Sequence, residues 1–228
     1  MRIRTADLTK LYFKGSPHEV TAVKDANIDI NERDFCLITG PSGSGKTTLL
    51  SLLGLLTKQT RGKILFNDEE VSCYSDAWQT KVRKSRIGFI FQQYNLLPQF
   101  SAWENVALPI LCRCTTSSER RKQAVEVMGK LGLENRVDFK VAHLSGGEQQ
   151  RVAIARALIT DPEVIFADEP TAAVDDETAQ AIISLFKELK AEGKTVIIAT
   201  HDKSLAKEGT LHLTVKSGFV EQVRGSLE

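Results

Sequence analysis

Phe35-Cys36-Leu37-Ile38-Thr39-Gly40-Pro41-Ser42-Gly43-Ser44-Gly45-Lys46-Thr47 decides the fold. Phe35 to Thr39 is short and nearly continuous in apolar character, as a strand buried on both faces should be. Gly40 to Thr47 then fits the phosphate-loop pattern in its required context, a strand before and a helix after. Three glycines let the backbone curl so that its N–H groups point inward, and the helix N-terminus adds positive potential for a β-phosphate. Gly40, Pro41, Ser42, Gly43, Ser44, Gly45, Lys46, Thr47 and the adjoining Thr48 are therefore the candidate nucleotide-binding residues. Lys46 is expected at the β- and γ-phosphates, and the Thr47 hydroxyl at Mg²⁺. A Gly/Ser-rich turn that merely joins strand to helix is the plainer reading, and the full pattern in this context argues against it.

Phosphoryl transfer also requires an acid near Mg²⁺ and a group that orients the attacking nucleophile. Val164-Ile165-Phe166-Ala167-Asp168-Glu169 supplies both at the end of a second buried strand. Asp168 is expected to hold Mg²⁺ through water and Glu169 to polarise the attacking water. Carboxylates at the C-terminal end of a parallel strand sit where open α/β sheets bind ligands. Without the phosphate loop, two acids in a strand-to-loop turn would mean nothing.

Further strands are expected at Arg86 to Phe91 and Thr195 to Ala199, giving an α/β fold with a largely parallel core sheet. The first thirty residues, with a loop at residues 14–18, and Lys63 to Asn67 read as strands of a separate antiparallel sheet. Ala179, Ile182, Ile183, Phe186 and Leu189 recur at three and four residues, the period of an amphipathic helix. Asp175, Asp176 and Glu177 crowd the N-terminus of that helix, where its dipole favours acids. Between Gln93 and Thr160 helical signals such as Ser118 to Leu131 replace strand signals, so residues 1–228 are expected to form one domain with a helical insertion at about 93–160.

Composition bounds the rest. The 228 residues are 42% hydrophobic and 26% charged, which excludes disorder and fibres. Thirty Lys plus Arg against 29 Asp plus Glu give no overall field for nucleic acid, which is not an expected partner. The longest apolar run, Leu49 to Leu56, is far below the roughly 20 residues of a membrane span. No apolar stretch follows Met1-Arg2-Ile3-Arg4 as a secretory signal requires, so a cytoplasmic location is expected. Cys36, Cys73, Cys112 and Cys114 lack zinc spacing and read as reduced thiols, with Cys112-Arg113-Cys114 as the one pair close enough for redox or metal work.

Leu144-Ser145-Gly146-Gly147-Glu148-Gln149-Gln150-Arg151 reads locally as a capping box, with two glycines exposing N–H groups at a helix start. Together with the motifs above, in the same order along the chain, it resembles the signature of the ATP-binding cassette (ABC) ATPases. The resemblance implies the phosphate-loop ATPase fold, with ATP and Mg²⁺ as cofactors. It implies that Ser145, Gly146, Gly147 and Glu148 bind the γ-phosphate of ATP held by the opposite subunit of a homodimer. By the same resemblance Tyr12 stacks on adenine, Gln92 touches Mg²⁺, His201 contacts the γ-phosphate, and Asp175 lies in a loop that crosses between subunits. Capping of the next helix accounts for Asp175 equally well. Val174 stands where the family usually has Leu, a small apolar change.

Gly88-Phe89-Ile90-Phe91-Gln92-Gln93-Tyr94-Asn95-Leu96-Leu97-Pro98 and Glu104-Asn105-Val106-Ala107-Leu108-Pro109 resemble the lipoprotein-release and macrolide-export group within the family. That implies an ATPase subunit on the cytoplasmic face of the membrane, held there by integral-membrane permease subunits. The rival reading keeps the ATPase but uses it as a mechanical or signalling switch of the cell-division or wall-remodelling type. A small-molecule kinase shares the phosphate loop but has no use for Leu144 to Glu148.

Overall fold

The computed structural model describes residues 1–113 and 116–225. Along the chain run β1 (Ile3–Tyr12), β2 (Val20–Ala26), β3 (Asp29–Ile30), β4 (Phe35–Thr39), α1 (Lys46–Leu53), β5 (Arg61–Phe66), β6 (Glu69–Glu70), α2 (Asp76–Arg86) and β7 (Ile87–Ile90). They are followed by α3 (Ala102–Ala107), α4 (Ser117–Gly129), α5 (Gly146–Leu158), β8 (Val164–Asp168), α6 (Asp176–Ala191), β9 (Thr195–Ala199), β10 (Leu211–Lys216) and β11 (Phe219–Arg224).

Two sheets form. One has the order β11-β10-β4-β9-β8-β7, with every pair parallel except β10 with β11. Its central strands are buried but for Thr39 at the end of β4, and their period of two sends alternate side chains to opposite faces. Cys36, Ile38, Phe166 and Ile197 join a core shared with α1 and the other sheet, while Phe35, Leu37, Ile165 and Ile198 join Ile182, Ile183, Phe186 and Leu189 of α6. The second sheet is antiparallel, β2-β1-β5-β6 with β3 on β1, as expected for the first thirty residues.

Among the described residues no strand lies between β7 and β8; a single bridge, Ser101 with Lys140, is all that pairs there. α3, α4 and α5 enclose a third core of Ala102, Val106, Ala124, Met128, Val152 and Ala155. α5 belongs to both worlds, because Ile154 and Ala157 on its opposite side pack into the α6 core.

Boundaries shift for local reasons. The expected strand Arg86 to Phe91 shrinks to Ile87–Ile90, since Arg86 closes α2 with its guanidinium on Glu163 at 2.6 Å and the last ladder pair is Ile90 with Ala167. The expected strand Lys63 to Asn67 is Arg61–Phe66, and the Ser118 to Leu131 helix is Ser117–Gly129. Of the Cys112-Arg113-Cys114 pair, Cys114 lies outside the described residues. Cys112 is exposed, with the Lys84 ammonium 3.7 Å from its sulfur.

Candidate functional site

Parallel strands deliver their C-terminal ends to one edge of the sheet, so the residues just past β4, β7, β8 and β9 gather there. Past β4, the loop turns on Gly40, Gly43 and Gly45, all at positive φ (146°, 73° and 112°). Side chains are excluded as well as disfavoured. A Cβ on Gly40 would lie 2.2 Å from the Val215 carbonyl oxygen, and one on Gly45 would lie 2.1 Å from that of Ala22. Gly45 is the N-cap of α1. The first α-helical bond runs from Leu49 N–H to Gly45 O at 2.8 Å, which leaves the N–H groups of Lys46, Thr47 and Thr48 without intrahelical acceptors.

The Lys46 ammonium donates to Gly40 O at 2.9 Å and Pro41 O at 3.2 Å, placing a positive charge across the loop mouth. Ser44 is buried, and its hydroxyl has no partner among the described residues. A cleft of about 510 Å³ opens beside the loop, lined by Gly43 to Thr48, Tyr12, Val20, Thr21, Ala22, Ser217 and Gly218. A cationic nest, an orphaned buried hydroxyl and an exposed aromatic at the far wall supply the charge, the donors and the room that a nucleotide takes.

Past β8 stand the two acids. The Thr47 hydroxyl donates to Asp168 Oδ1 at 3.3 Å. Burial pushes the Asp168 carboxyl above the usual carboxylate range, the Glu169 charge adds to that, and the Thr47 hydrogen bond and Lys46 charge oppose it. A hydroxyl and a carboxylate oxygen this close are the hard donors that Mg²⁺ takes. Glu169 has a left-handed backbone (φ 47°), a sparsely populated conformation for a residue with a side chain. His201, past β9, engages its carboxylate twice: the backbone N–H donates to Oε2 at 3.3 Å, and ring Nδ1 lies 2.9 Å from the same oxygen. Gln92, exposed, leaves β7 at the same sheet edge, two residues beyond the Ile90 to Ala167 pair.

The signature residues are elsewhere. Ser145 caps α5, its hydroxyl accepting from Glu148 N–H at 3.3 Å while Ser145 N–H donates to Glu148 Oε2 at 2.9 Å. The Ser145 N–H, then Arg136 at 2.6 Å, hold the Glu148 carboxyl below its ordinary range. This helix start lies against the loop after β8 and the first turn of α6: a Cβ on Gly147 would touch Thr178 at 3.2 Å, and one on Gly146 the Ala173 carbonyl at 3.6 Å. Asp175 caps α6, accepting from Thr178 N–H at 2.9 Å and from its hydroxyl at 3.0 Å, bonds that lower its carboxyl. Ser145 and Gly146 are exposed, and neither they nor Gly147, Glu148 or Asp175 line the cleft beside the phosphate loop.

No motif marks the remaining cleft walls as binding residues. Val20 to Ala22 belong to β2, and Ser217-Gly218 is the β10–β11 turn, whose Gly218 N–H donates to Ser44 O at 3.1 Å. Only the alternation of Leu211, Leu213 and Val215 with polar residues marks that hairpin in the sequence.

The family described as ABC transporter matches residues 23–172. An ABC transporter ATP-binding protein of Methanocaldococcus jannaschii, MJ0796, is 43% identical over 225 residues, 96% of this chain and 95% of that protein. Its dimeric structure in a post-hydrolysis state bound to ADP and Pi superposes with a TM-score of 0.91 over 97% of this chain and 98% of that one, at 40% identity. The lipoprotein-releasing system ATP-binding protein LolD of Idiomarina loihiensis is 39% identical, covering 98% of both chains. The macrolide export ATP-binding/permease protein MacB of Hyphomonas neptunium is 42% identical over 96% of this chain, which spans 34% of that longer protein.

Proposed function

The chain belongs to the ABC transporter family as an ATP-binding, ATP-hydrolysing subunit of the LolD and MacB type, and on that premise we propose how its residues divide the work and that two copies complete each site. Lys46 and the first-turn N–H groups of α1 hold the β- and γ-phosphates, and Tyr12 stacks on the adenine. Thr47, Gln92 and, through water, Asp168 hold Mg²⁺, which when bound neutralises charge between the β- and γ-phosphates. Glu169 accepts a proton from the attacking water, and His201 contacts the γ-phosphate while its N–H fixes the Glu169 carboxylate.

One observation carries the two-copy reading. The phosphate loop, Asp168, Glu169 and His201 meet at one sheet edge, whereas Ser145 and Gly146 present an exposed, capped helix start outside that cleft. An anion-binding helix start facing away from its own nucleotide is used only if it faces another copy's. Asp175, spent on capping α6, is the acid of the loop at that boundary. ATP shared between two chains then acts as removable glue, and its hydrolysis reopens the interface. The residues 93–160 insertion is the helical arm that carries Ser145 to the partner.

The closing motion drives a membrane permease, in export or lipoprotein and lipid release. The lipoprotein-releasing and macrolide-export systems of LolD and MacB support that direction. Among the described residues no helix is long and apolar enough to cross a membrane. The test is the molar mass of Glu169→Gln by light scattering with and without Mg·ATP. Doubling with nucleotide is expected; an unchanged mass, with ATP binding shown separately, overturns the shared site.

A further inference from the structure

α5 buries a polar side chain among apolar ones. Gln150 is 2% exposed, beside Val152, Ala153, Ile154 and Ala155 on a helix otherwise packed into two hydrophobic cores. A primary amide buried there is costly unless it is hydrogen-bonded. Its Nε2 donates to the carbonyl of Pro170 at 2.7 Å, and its Oε1 has no partner among the described residues.

Pro170 directly follows Glu169, whose left-handed backbone persists only where neighbouring structure over-determines it. Three ties come from β9, from the residues just past it and from the turn itself. Glu169 N–H donates to Ala199 O at 2.8 Å, Ala172 N–H to Glu169 O at 3.2 Å, and the Thr171 hydroxyl to Asp202 Oδ2 at 3.4 Å. The Gln150 bond is different, because it arrives from the helix whose first residues are Gly146 and Gly147.

We propose that Gln150 is a positioning residue: its amide ties α5 to the Pro170 carbonyl, holds the strained turn that aims Glu169, and so makes hydrolysis answer to the position of the Ser145 end of the helix. This rests on Glu169 as the water-polarising base and on Ser145 as the end that meets the partner's nucleotide. Ser145 and Gln150 are about a turn and a half apart on one unbroken helix, so a shift at its start reaches Pro170 through one hydrogen bond.

The test is steady-state ATPase of the full chain for wild type, Gln150→Met, Glu169→Gln and the double variant. Met keeps the volume and helical preference and removes the donor. In Gln150→Met, kcat is expected to fall about tenfold, the rate equivalent of one lost hydrogen bond. KM should stay within about twofold, as for an interaction used in the transition state alone. In the Glu169→Gln background the same substitution should change the residual rate by no more than about twofold, since groups acting through one another are not additive. A raised KM with kcat held, or an equal tenfold loss in both backgrounds, overturns the proposal.

The two readings fail separately. Wild-type rates in Glu169→Gln would sink the base assignment, whereas an inactive Glu169→Gln beside a fully active Gln150→Met removes only the positioning role. If Gln150→Met melts, the isosteric Gln150→Glu takes its place, losing the donor when ionised and regaining it as an O–H when protonated. Its deficit against wild type at the same pH should then narrow on acidification, and a pH-independent deficit overturns the proposal.

Discussion

Asp168 serves function against stability. Its folded-state carboxyl is raised mainly by burial, so the folded chain binds that proton more tightly than the unfolded chain does. The ionised group therefore costs stability at neutral pH, and the cost is relieved as pH falls through the raised value. Asp168→Asn keeps an oxygen for the Thr47 hydroxyl and removes the charge. In the absence of nucleotide its Tm should rise by about 2–4 °C, equivalent to about 1 kcal/mol at this chain length. The Mg²⁺ concentration for half-maximal ATPase should rise in the same variant, and in wild type it should rise on acidification from above the ordinary Asp range of about 3.9. Calorimetry and a Mg²⁺ titration at two pH values check this; a lower Tm would show that the charge is compensated. Gly45 makes the opposite case. Gly45→Ala drives a Cβ into the Ala22 carbonyl at a φ of 112°, so binding of a fluorescent ATP analogue should weaken by at least about tenfold, the effect of displacing the loop by one hydrogen bond's worth of geometry. Retained affinity would mean that β2 yields.

At the scale of elements, the helices between β7 and β8 start alike. α3, α4 and α5 each open with a capping box, Ser101 with Glu104, Thr116 with Glu119, and Ser145 with Glu148. Short helices need such ends, because nucleation is costly and α3 has six residues. The Ser101 hydroxyl, then its N–H, lower the Glu104 carboxyl. A depressed carboxyl contributes stability that is present above the ordinary Glu value and lost as pH falls through the folded one. Ser101→Ala should cost about 1 kcal/mol in urea unfolding at pH 7 and less in acid, where Glu104 is protonated. An equal cost at both would place the effect outside the box. The same scale explains what the sequence makes legible. β9 and β4 are recognisable at both ends because every residue is buried and apolar or nearly so. β10 is also an inner strand, paired with β4, yet His212 and Thr214 interrupt its apolar run and hide it from the same rule. α2 is missed because Gln79 is its one fully buried residue and its apolar side chains are few, with Trp78 exposed and Val82 only partly buried.

Taken as one molecule, the chain separates its motifs into two places, and that separation is what sequence order cannot express. Gly40 to Thr48, Asp168, Glu169 and His201 are legible as a site because strand ends of a parallel sheet converge whatever their spacing. Val20 to Ala22 and Ser217-Gly218 are not, since the pairing that brings them to the loop is tertiary. Ser145 is legible as a cap, but only the folded chain places it outside the cleft. If each nucleotide lies between Lys46 of one copy and Ser145 of another, two dead variants should rescue each other. Lys46→Ala removes the phosphate contact, and Ser145→Arg blocks the exposed helix start. In a mixed dimer one site carries both lesions and the other carries neither. With random pairing half the dimers are mixed, so an equimolar mixture should recover about a quarter of the wild-type ATPase per chain, as expected for an interface site that is incomplete without its partner copy. Sites confined to one chain would give no recovery at any ratio, because each variant's only site would keep its own lesion.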